Sequence, residues 1–346
     1  MMNREVYARG LASACAGAAG SGALDGKRFL ITGVTGLVGS FLADALAFLN
    51  ESRGANVQIY AAGRSGAGVR GRFGETFDRP YFHYLPYDAA KPIGFDVPVD
   101  YIVHAACSAH PLAYSTDPVG TMQANLLGTM ALLEYLRARP GGRLLLLSTG
   151  EIYGENPGLP DGFSETDHGW VETMNPRSCY PESKRAAETL CAAYAAQHGV
   201  DAVVARLCHV YGPTLTASNS RADAQFLRKA LAGEDIVMKS TGSQVRSFCY
   251  AADAVSAIFT LLVKGARGQA YNVANRDCTA SIREYAQTLA DIAGVKLTFD
   301  LPPEAEKAGY TKITRAVFNP SKLEALGWRP RYGLRAGLEE TYGSLK

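Results

Sequence analysis

Short apolar runs alternate with longer amphipathic segments from the start of the chain to about residue 206. A short apolar run that ends in polar residues or glycine is typical of a parallel strand buried on both faces. Segments in which apolar residues recur three and four positions apart are typical of helices. The runs predict strands at residues 27–32, 56–62, 81–87, 100–106, 144–149 and 202–206, with helices between them. This alternation predicts an α/β fold with a doubly wound parallel sheet.

A glycine-rich turn, TGVTGLVG at residues 32–39, joins the first predicted strand to the first predicted helix. Strand, glycine turn and helix in this order are the context of a dinucleotide-binding fingerprint, and the alternative is an ordinary glycine-rich loop. The glycines allow a tight turn and close approach of a pyrophosphate, and the helix N-terminus offers N–H groups to the phosphates. We therefore expect a Rossmann-type sheet whose cofactor site includes Gly33, Gly36, Leu37, Val38 and Gly39.

The end of the second strand lacks the acidic residue that binds the ribose of NAD. Arg64 and Ser65 stand there instead, and an arginine would pair with the 2′-phosphate of NADP. We expect NADP to be favoured over NAD, which stays an alternative, as does a merely solvated arginine. The glycines at 63, 66 and 68 form a second cluster that no apolar helix is expected to follow. Residues at the ends of later strands and on two helices complete the expected cofactor site: Asp88, Ala89, Ala105, Ala106, Asn125, Tyr180 and Lys184.

The length of 346 residues exceeds what one core usually serves, so two lobes are expected. Residues 1–25 read as an alanine-rich extension, and 26–205 as the dinucleotide-binding Rossmann domain. Beyond 206 the regular alternation weakens, with helices predicted at 221–231, 250–262 and 282–293 and a strand at 269–273. Residues 206–346 are therefore expected to form mainly a smaller, interwoven α/β substrate-binding lobe, with some segments returning to the first domain.

The composition argues against several classes of function but does not identify the function itself. The formal net charge is +2, which argues against nucleic-acid or membrane-surface binding. Seven scattered cysteines without a Cys-x-x-Cys pair indicate buried thiols in a cytoplasmic protein, and no metal site is expected. No apolar run approaches the roughly 20 residues of a membrane span, and polar residues near the N-terminus argue against a secretory signal.

The pattern Tyr-x-x-x-Lys occurs three times, at 87/91, 180/184 and 342/346. Only Tyr180 and Lys184 begin a helical pattern that follows a strand ending in a hydroxyl residue, Thr149. A lysine one helical turn away and an oxidised nicotinamide both favour a phenolate, so Tyr180 becomes a candidate base for a substrate hydroxyl held by Thr149. Glu151 would share the strand face of Thr149 if the strand persists, and could then transfer a second proton; the alternative is a solvated turn residue.

Five motifs together resemble the extended short-chain dehydrogenases/reductases that modify nucleotide sugars. They are TGVTGLVG at 32–39, the strand at 100–106, STGEIYG at 148–154, YPESK at 180–184 and RLCHVYGP at 206–213. The resemblance implies that the C-terminal segments bind a nucleotide sugar. It also implies homodimers that pair through the helices at 118–139 and 180–197.

Within that family, Glu151 is similar to the carboxylate of UDP-glucuronate decarboxylases, as are the segments at 176–180, 184–188 and 242–248. The resemblance implies transient oxidation at C4, elimination or decarboxylation assisted by Glu151, and return of the hydride. Gly150 stands where dTDP-glucose 4,6-dehydratases carry an acidic residue, and simple 4-epimerases have a small or uncharged residue in place of Glu151. Both reactions stay open as alternatives, and a non-catalytic cofactor sensor is a remote one.

Substrate contacts are also implied by the resemblance. Arg246 would contact the diphosphate, and His209 stands where the family usually has a diphosphate-binding asparagine. Three arginines are candidates to bind a substrate carboxylate: Arg177, Arg221 and Arg315.

Overall fold

The computed structural model describes residues 2–107, 109, 111–155, 159, 162–301 and 313–346. Its strands are β1 Arg28–Thr32, β2 Gln58–Gly63, β3 Phe82–Pro86, β4 Tyr101–His104, β5 Arg143–Thr149, β6 Asp201–Leu207, β7 His209–Tyr211, β8 Ile236–Met238, β9 Val245–Tyr250, β10 Ala270–Val273, β11 Thr279–Ser281, β12 Leu297–Phe299 and β13 Arg315–Ala316.

The helices are α1 Arg4–Cys15, α2 Leu37–Arg53, α3 Gly66–Phe73, α4 Pro111–Thr116, α5 Pro118–Ala138, α6 Cys179–His198, α7 Ala222–Leu231, α8 Ala251–Lys264, α9 Ile282–Ala293, α10 Ser321–Glu324 and α11 Leu334–Leu345. Short 3-10 helices also occur, among them Gly150–Tyr153 after β5 and Pro176–Ser178 before α6. Within the described residues, every helix is too short or too polar to cross a bilayer.

The central sheet has the strand order β3-β2-β1-β4-β5-β6-β10, and all of its neighbouring strands run parallel. The predicted doubly wound, Rossmann-type sheet is confirmed. The order reverses between β1 and β4, which pair directly, with Ile31 opposite Val103. In such sheets the crevice at the carboxyl ends of the two switching strands is where ligands bind.

Alternate residues of β1 face opposite sides of the sheet. Phe29 and Ile31 lie in one buried core cluster with side chains of α2 and α8. Leu30 lies in the other, with side chains of α5 and α6 such as Leu133 and Cys191. A strand buried on both faces has no polar side to alternate with, which explains why its sequence is a continuous apolar run.

The C-terminal part of the chain contributes to both halves of the molecule. β9 pairs with β7, β11 and β13, and β8 pairs with β12, so these strands form sheets separate from the central one. β10, in contrast, lies beside β6 at the edge of the central sheet, and α8 contacts β5, β6 and α2. The chain therefore leaves the first lobe and returns to it.

Residues 1–25, expected to be an extension, contain α1 and a short 3-10 helix at Ala18–Ser21. α1 contacts α2, α8 and α11, and its Leu11 is buried in the core. The Tyr7 hydroxyl donates a hydrogen bond to Asp44 on α2, and Arg72 on α3 pairs with the same carboxylate at 2.6 Å. This segment is therefore packed onto the Rossmann lobe.

The second glycine cluster, after which no apolar helix was expected, contains the start of the short and largely polar helix α3 at Gly66. The Ser65 side chain caps α3 by accepting a hydrogen bond from the N–H of Gly68 at 3.1 Å. Only Val69 and Phe73 of this eight-residue helix are buried. Two buried side chains in eight positions give too weak a periodicity to predict a helix from sequence.

Candidate active site

The glycine turn between β1 and α2 packs backbone against backbone. Gly33 has φ +65°, and a Cβ there would lie 2.5 Å from the carbonyl oxygen of Ala105 at the exit of β4. A Cβ at Gly39 would lie 2.5 Å from the Gly33 carbonyl oxygen, so this glycine lets α2 approach the turn. Gly36 precedes α2 and has no side chain to cap it, so the N–H groups of Leu37 and Val38 face outward at the helix N-terminus.

Polar groups beside this turn are arranged for a ligand. The Thr32 hydroxyl accepts a hydrogen bond from the N–H of Ala106 at 3.2 Å, which fixes the small residues at the exit of β4. Asn125 on α5 donates to the Ser183 hydroxyl at 2.9 Å, but its buried amide oxygen has no partner among the described residues. Buried acceptors are nearly always satisfied, so this oxygen indicates a missing donor. The glycine turn between β1 and α2 and the unpaired amide oxygen of Asn125 together fit a bound nicotinamide dinucleotide.

The other expected cofactor residues lie at the ends of β2 and β3. Arg64 follows β2, is exposed, and makes no hydrogen bond or ion pair within the described ranges. Ser65 caps α3, as described above. Beyond β3, the Asp88 carboxylate accepts a hydrogen bond from the N–H of Ala90 at 3.1 Å, and Ala89 is buried. Arg64 is therefore the charged side chain at the end of β2 that is available to bind a ligand.

Tyr180 and Lys184 lie in the first turns of α6 and are both buried. The Lys184 ammonium donates to the carbonyl oxygen of Leu147 on β5 at 2.8 Å, which ties α6 to the strand that ends at Thr149. Burial lowers the pKa of Lys184. Burial also raises the pKa of Tyr180 well above its usual range, against a hydrogen bond with Thr149 and the charge of Arg221. Lys184 and an oxidised nicotinamide were the groups expected from the sequence to lower this pKa, and in the structure Thr149 and Arg221 lower it.

Glu151 does not share a strand face with Thr149, because β5 ends at Thr149. The Thr149 hydroxyl accepts a hydrogen bond from the N–H of Glu151 at 3.2 Å and so caps the 3-10 helix that carries the glutamate. The carboxylate nevertheless acts on the pKa of Tyr180, so the turn keeps it at the site. Its Oε2 atom pairs with Arg177 Nη1 at 3.1 Å, and both side chains are partly exposed.

His209 and Arg246 lie on the neighbouring strands β7 and β9. Burial, with the charges of Arg221 and Arg246, lowers the pKa of His209 to about 3, so the imidazole is neutral at physiological pH. Burial lowers the pKa of Arg246 to about 10, and the charge of Glu151 opposes this shift. Among the described residues, no cluster of side chains suited to hold a metal ion is found.

Arg221 precedes α7 and has one unsatisfied donor. Its Nη2 atom donates to the Val210 carbonyl at 2.8 Å and to Asp223 at 3.0 Å. Its Nε atom is buried and has no partner in the described part of the chain. The charge of Arg221 also lowers the pKa of Tyr180, so the guanidinium lies within electrostatic reach of that phenol. Arg315, the third candidate from the sequence, is exposed on β13.

Tyr114 was missed by the sequence. Its ring lies on the ring of Tyr180, with centroids 4.6 Å apart and planes inclined by 14°. The two rings form a small buried cluster with Cys179, and Cys107 packs against it. Tyr114 belongs to the six-residue helix α4, which is shorter than two turns. A helix of that length carries no periodic signal, so no sequence pattern could have placed this ring.

Comparison with known proteins identifies the family. Residues 29–274 match the model of the NAD dependent epimerase/dehydratase family. UDP-glucuronic acid decarboxylase 6 of Arabidopsis thaliana is 33% identical over 317 residues, which cover 90% of this chain and 86% of that protein. UDP-glucuronic acid decarboxylase 1 of Danio rerio is 33% identical, with 92% of this chain and 72% of that protein covered.

Solved structures agree with the sequence comparison. The UDP-glucose 4-epimerase of Thermus thermophilus, in complex with NAD, is 26% identical and superposes with a TM-score of 0.75 over 92% of this chain and 98% of that one. The resemblance noted in the motifs is thereby confirmed. This chain belongs to the NAD dependent epimerase/dehydratase family of extended short-chain dehydrogenases/reductases.

Proposed function

We propose that this protein is a redox-neutral nucleotide-sugar lyase that decarboxylates a nucleotide-linked hexuronate such as UDP-glucuronate. The similarity of 33% to UDP-glucuronic acid decarboxylases over nine tenths of the chain supports the substrate class. NAD or NADP bound at the glycine turn between β1 and α2 would take a hydride from C4 of the sugar and later return it. Oxidation at C4 makes the C6 carboxylate a β-keto acid, which loses carbon dioxide readily.

The side chains at the end of β5 and the start of α6 fit the first step. Thr149 would hold the C4 hydroxyl beside Tyr180, whose pKa it already lowers. Tyr180 would take the proton of that hydroxyl as its general base. Lys184, held by the Leu147 carbonyl, lies one helical turn from the phenol, where its charge would favour the phenolate once the phenol is ionised.

The close contact of Gly150 with Phe318 favours decarboxylation over dehydration. Any Cβ at Gly150 would overlap the Phe318 ring. That ring is buried and packs on Tyr153 and Phe163, and the backbone N–H of Phe318 donates to the Ser247 hydroxyl at 3.1 Å. An acidic side chain at position 150, as the dTDP-glucose dehydratases carry, has no space here. We infer that no acid is available there to protonate a leaving hydroxyl at C6.

Arginine side chains near Glu151 suit a substrate with several negative charges, since Arg177 pairs with Glu151 and Arg246 lies within its electrostatic reach. We propose that Arg246 and the neutral His209 contact the diphosphate. Arg177, now paired with Glu151, and Arg221, with its unsatisfied Nε, are proposed to bind the sugar carboxylate. Charge-assisted hydrogen bonds to arginine are among the stronger polar contacts that a protein can offer a carboxylate.

Product masses test the proposed reaction. The protein would be incubated with UDP-glucuronate, UDP-glucose and dTDP-glucose, each with NAD and with NADP. Loss of carbon dioxide from UDP-glucuronate is expected. Loss of water would favour a 4,6-dehydratase, and a product of unchanged mass but altered retention a 4-epimerase. Binding of the cofactor without turnover of any sugar would support the sensor and refute the proposal.

We further propose that the cofactor is NADP, on the strength of Arg64. The neighbouring arginines are engaged elsewhere, Arg70 with Asp78 and Arg72 with Asp44. Arg64→Ala is expected to weaken NADP binding about tenfold, equivalent to about 1.4 kcal/mol, and to leave NAD affinity within about twofold. Titration of both cofactors by calorimetry checks this. Arg70→Ala is the matched control, and a wild type that prefers NAD would refute the proposal.

We propose a homodimer that pairs through α5 and α6. Three large apolar side chains of α5 are exposed by about two fifths: Met122, Leu127 and Met130. Beside them, α5 and α6 form a groove with few polar atoms, lined by Leu126, Leu127, Met130, Ala186, Thr189, Leu190 and Ala193. A contiguous exposed apolar face of this kind is typical of a subunit interface.

Leu127→Glu is expected to convert this dimer to a monomer, because it places a charge in the apolar groove. Sedimentation velocity at micromolar concentration measures the change. Ala138→Glu, at an exposed position on the same helix outside the groove, is the control and should remain a dimer. A monomeric wild type, or a dimeric Leu127→Glu variant, would refute the assignment.

The seven free thiols suit a reducing compartment, and we propose the cytoplasm as the location.

A further inference from the structure

The Tyr114 ring covers one face of the proposed catalytic phenol. The two rings are nearly parallel and their centroid distance of 4.6 Å is that of an offset stack. Tyr114 is 2% exposed and Tyr180 is 6% exposed. We propose that Tyr114 is a positioning residue for Tyr180, fixing the orientation of its ring so that the phenol oxygen meets the substrate hydroxyl. This inference rests on the proposed function.

Tyr180 needs such support because its phenol oxygen lies at the far end of a long side chain with a rigid ring. It is the second residue of α6, so a small rotation about its first side-chain torsion displaces the phenol oxygen by a large part of an ångström. Thr149 lies close enough to the phenol to lower its pKa. The Tyr114 ring packs against one face of the Tyr180 ring, and so limits rotation about the first side-chain torsion of Tyr180. Misplacement of a reacting group by about 1 Å can cost about 100-fold in rate.

Tyr114 is itself held in place from several sides. Its carbonyl oxygen accepts a hydrogen bond from the Cys179 thiol at 3.9 Å. The Arg177 guanidinium lies 5.8 Å from its ring centroid, within the range of a cation–π contact. α4 also contacts the 3-10 helix Pro176–Ser178, which leads directly into α6. Tyr114 is therefore anchored to the same segment that carries Tyr180.

The ring of Tyr114, and not its hydroxyl, carries the proposed role. Among the described residues, the Tyr114 hydroxyl makes no hydrogen bond. Burial raises the pKa of Tyr114, and the same two charges act on both phenols: Glu151 raises and Arg221 lowers their pKa values. The two hydroxyls thus lie within electrostatic reach of the same two groups. A substrate contact through the Tyr114 hydroxyl is the competing explanation, and phenylalanine at this position separates the two.

The test compares Tyr114→Leu, which removes the aromatic face, with Tyr114→Phe, which keeps it. For Tyr114→Leu we expect kcat to fall about 10- to 100-fold, with KM for the nucleotide sugar changed by less than about threefold. Tyr114→Phe should retain kcat within about twofold. Equal losses in both variants, or a loss confined to KM, would overturn the proposal in favour of a substrate contact. Unchanged kcat in Tyr114→Leu would overturn it as well.

A double variant shows whether the effect passes through Tyr180. In the Tyr180→Phe background, Tyr114→Leu should cause no further loss of kcat, and an additional loss of about 10-fold would contradict positioning. The phenolate absorbance of Tyr180, obtained as the difference between each protein and its Tyr180→Phe form, gives a readout without turnover. Loss of the covering ring should lower the titration midpoint in Tyr114→Leu but not in Tyr114→Phe, and an unchanged midpoint would refute the stack. A wild type that turns over no sugar would refute the proposed function. The titration would still test whether the Tyr114 ring covers Tyr180, because it needs no turnover.

Discussion

Tyr180→Phe is expected to lower kcat by about 10²- to 10⁴-fold, the usual contribution of a general acid–base group. The change removes one oxygen from a buried ring and leaves the stack with Tyr114 in place. Lys184 keeps its contact with the Leu147 carbonyl, so α6 stays docked on β5. Cofactor affinity should therefore change by less than about threefold. Steady-state kinetics with UDP-glucuronate, together with cofactor titration, measures both effects.

Tyr87→Phe is the matched control for that variant. Tyr87 is also buried, its hydroxyl has no hydrogen-bond partner in the described residues, and it begins another Tyr-x-x-x-Lys pattern. Its loss should leave kcat unchanged. Full activity of Tyr180→Phe would refute the assigned base, and equal losses in the two variants would indicate a general packing defect.

Glu151→Gln is expected to lower the rate of product formation by about 100-fold or more, while the initial oxidation at C4 persists. Loss of carbon dioxide leaves an enolate at C5 that must be protonated, and a glutamine cannot supply or take a proton there. The absorbance of reduced nicotinamide should then build up during a single turnover. Stopped-flow absorbance, with carbon dioxide release measured in parallel, follows the two steps separately.

Glu155→Gln controls for the same chemical change nearby, because Glu155 is exposed and pairs with Trp170 through backbone atoms. The lost ion pair of Glu151 with Arg177 is partly exposed, so the free energy of unfolding should fall by no more than about 1 kcal/mol. Undiminished product formation in Glu151→Gln would show that the carboxylate is not needed. Failure of reduced nicotinamide to appear would place the role of the carboxylate at the oxidation step, before decarboxylation.

The main features of the fold could be predicted because their signals are local. β1, β4 and β5 are continuous apolar runs, since a central parallel strand is buried on both faces. The glycine turn could be predicted because Gly33 has a positive φ and Gly39 sits against a backbone oxygen, and each tolerates no side chain. The bounds of α9, Ile282–Ala293, were predicted to the residue. Its Ser281–Glu284 capping box and apolar face both lie within the segment itself.

Features that depend on distant parts of the chain could not be predicted. The contact of Gly150 with Phe318 joins residues far apart in sequence, so the reason for a glycine at position 150 becomes visible only in three dimensions. Glu151 could be placed on the strand face of Thr149 only on the condition that the strand continued, because the Thr149 cap that follows the end of β5 leaves no pattern of its own. Tyr114 comes from a helix of six residues, where periodicity carries no information.

The return of β10 to the edge of the central sheet limits how enzymes of this design can diversify. The proposed substrate lobe cannot be exchanged between relatives as a module, because the same chain segment that builds its separate sheets also covers β6. A graft that ended at residue 205 would leave β6 as an open edge, with backbone groups ready to pair with another chain. New substrate specificity in this architecture therefore has to arise by replacing individual side chains within a retained scaffold.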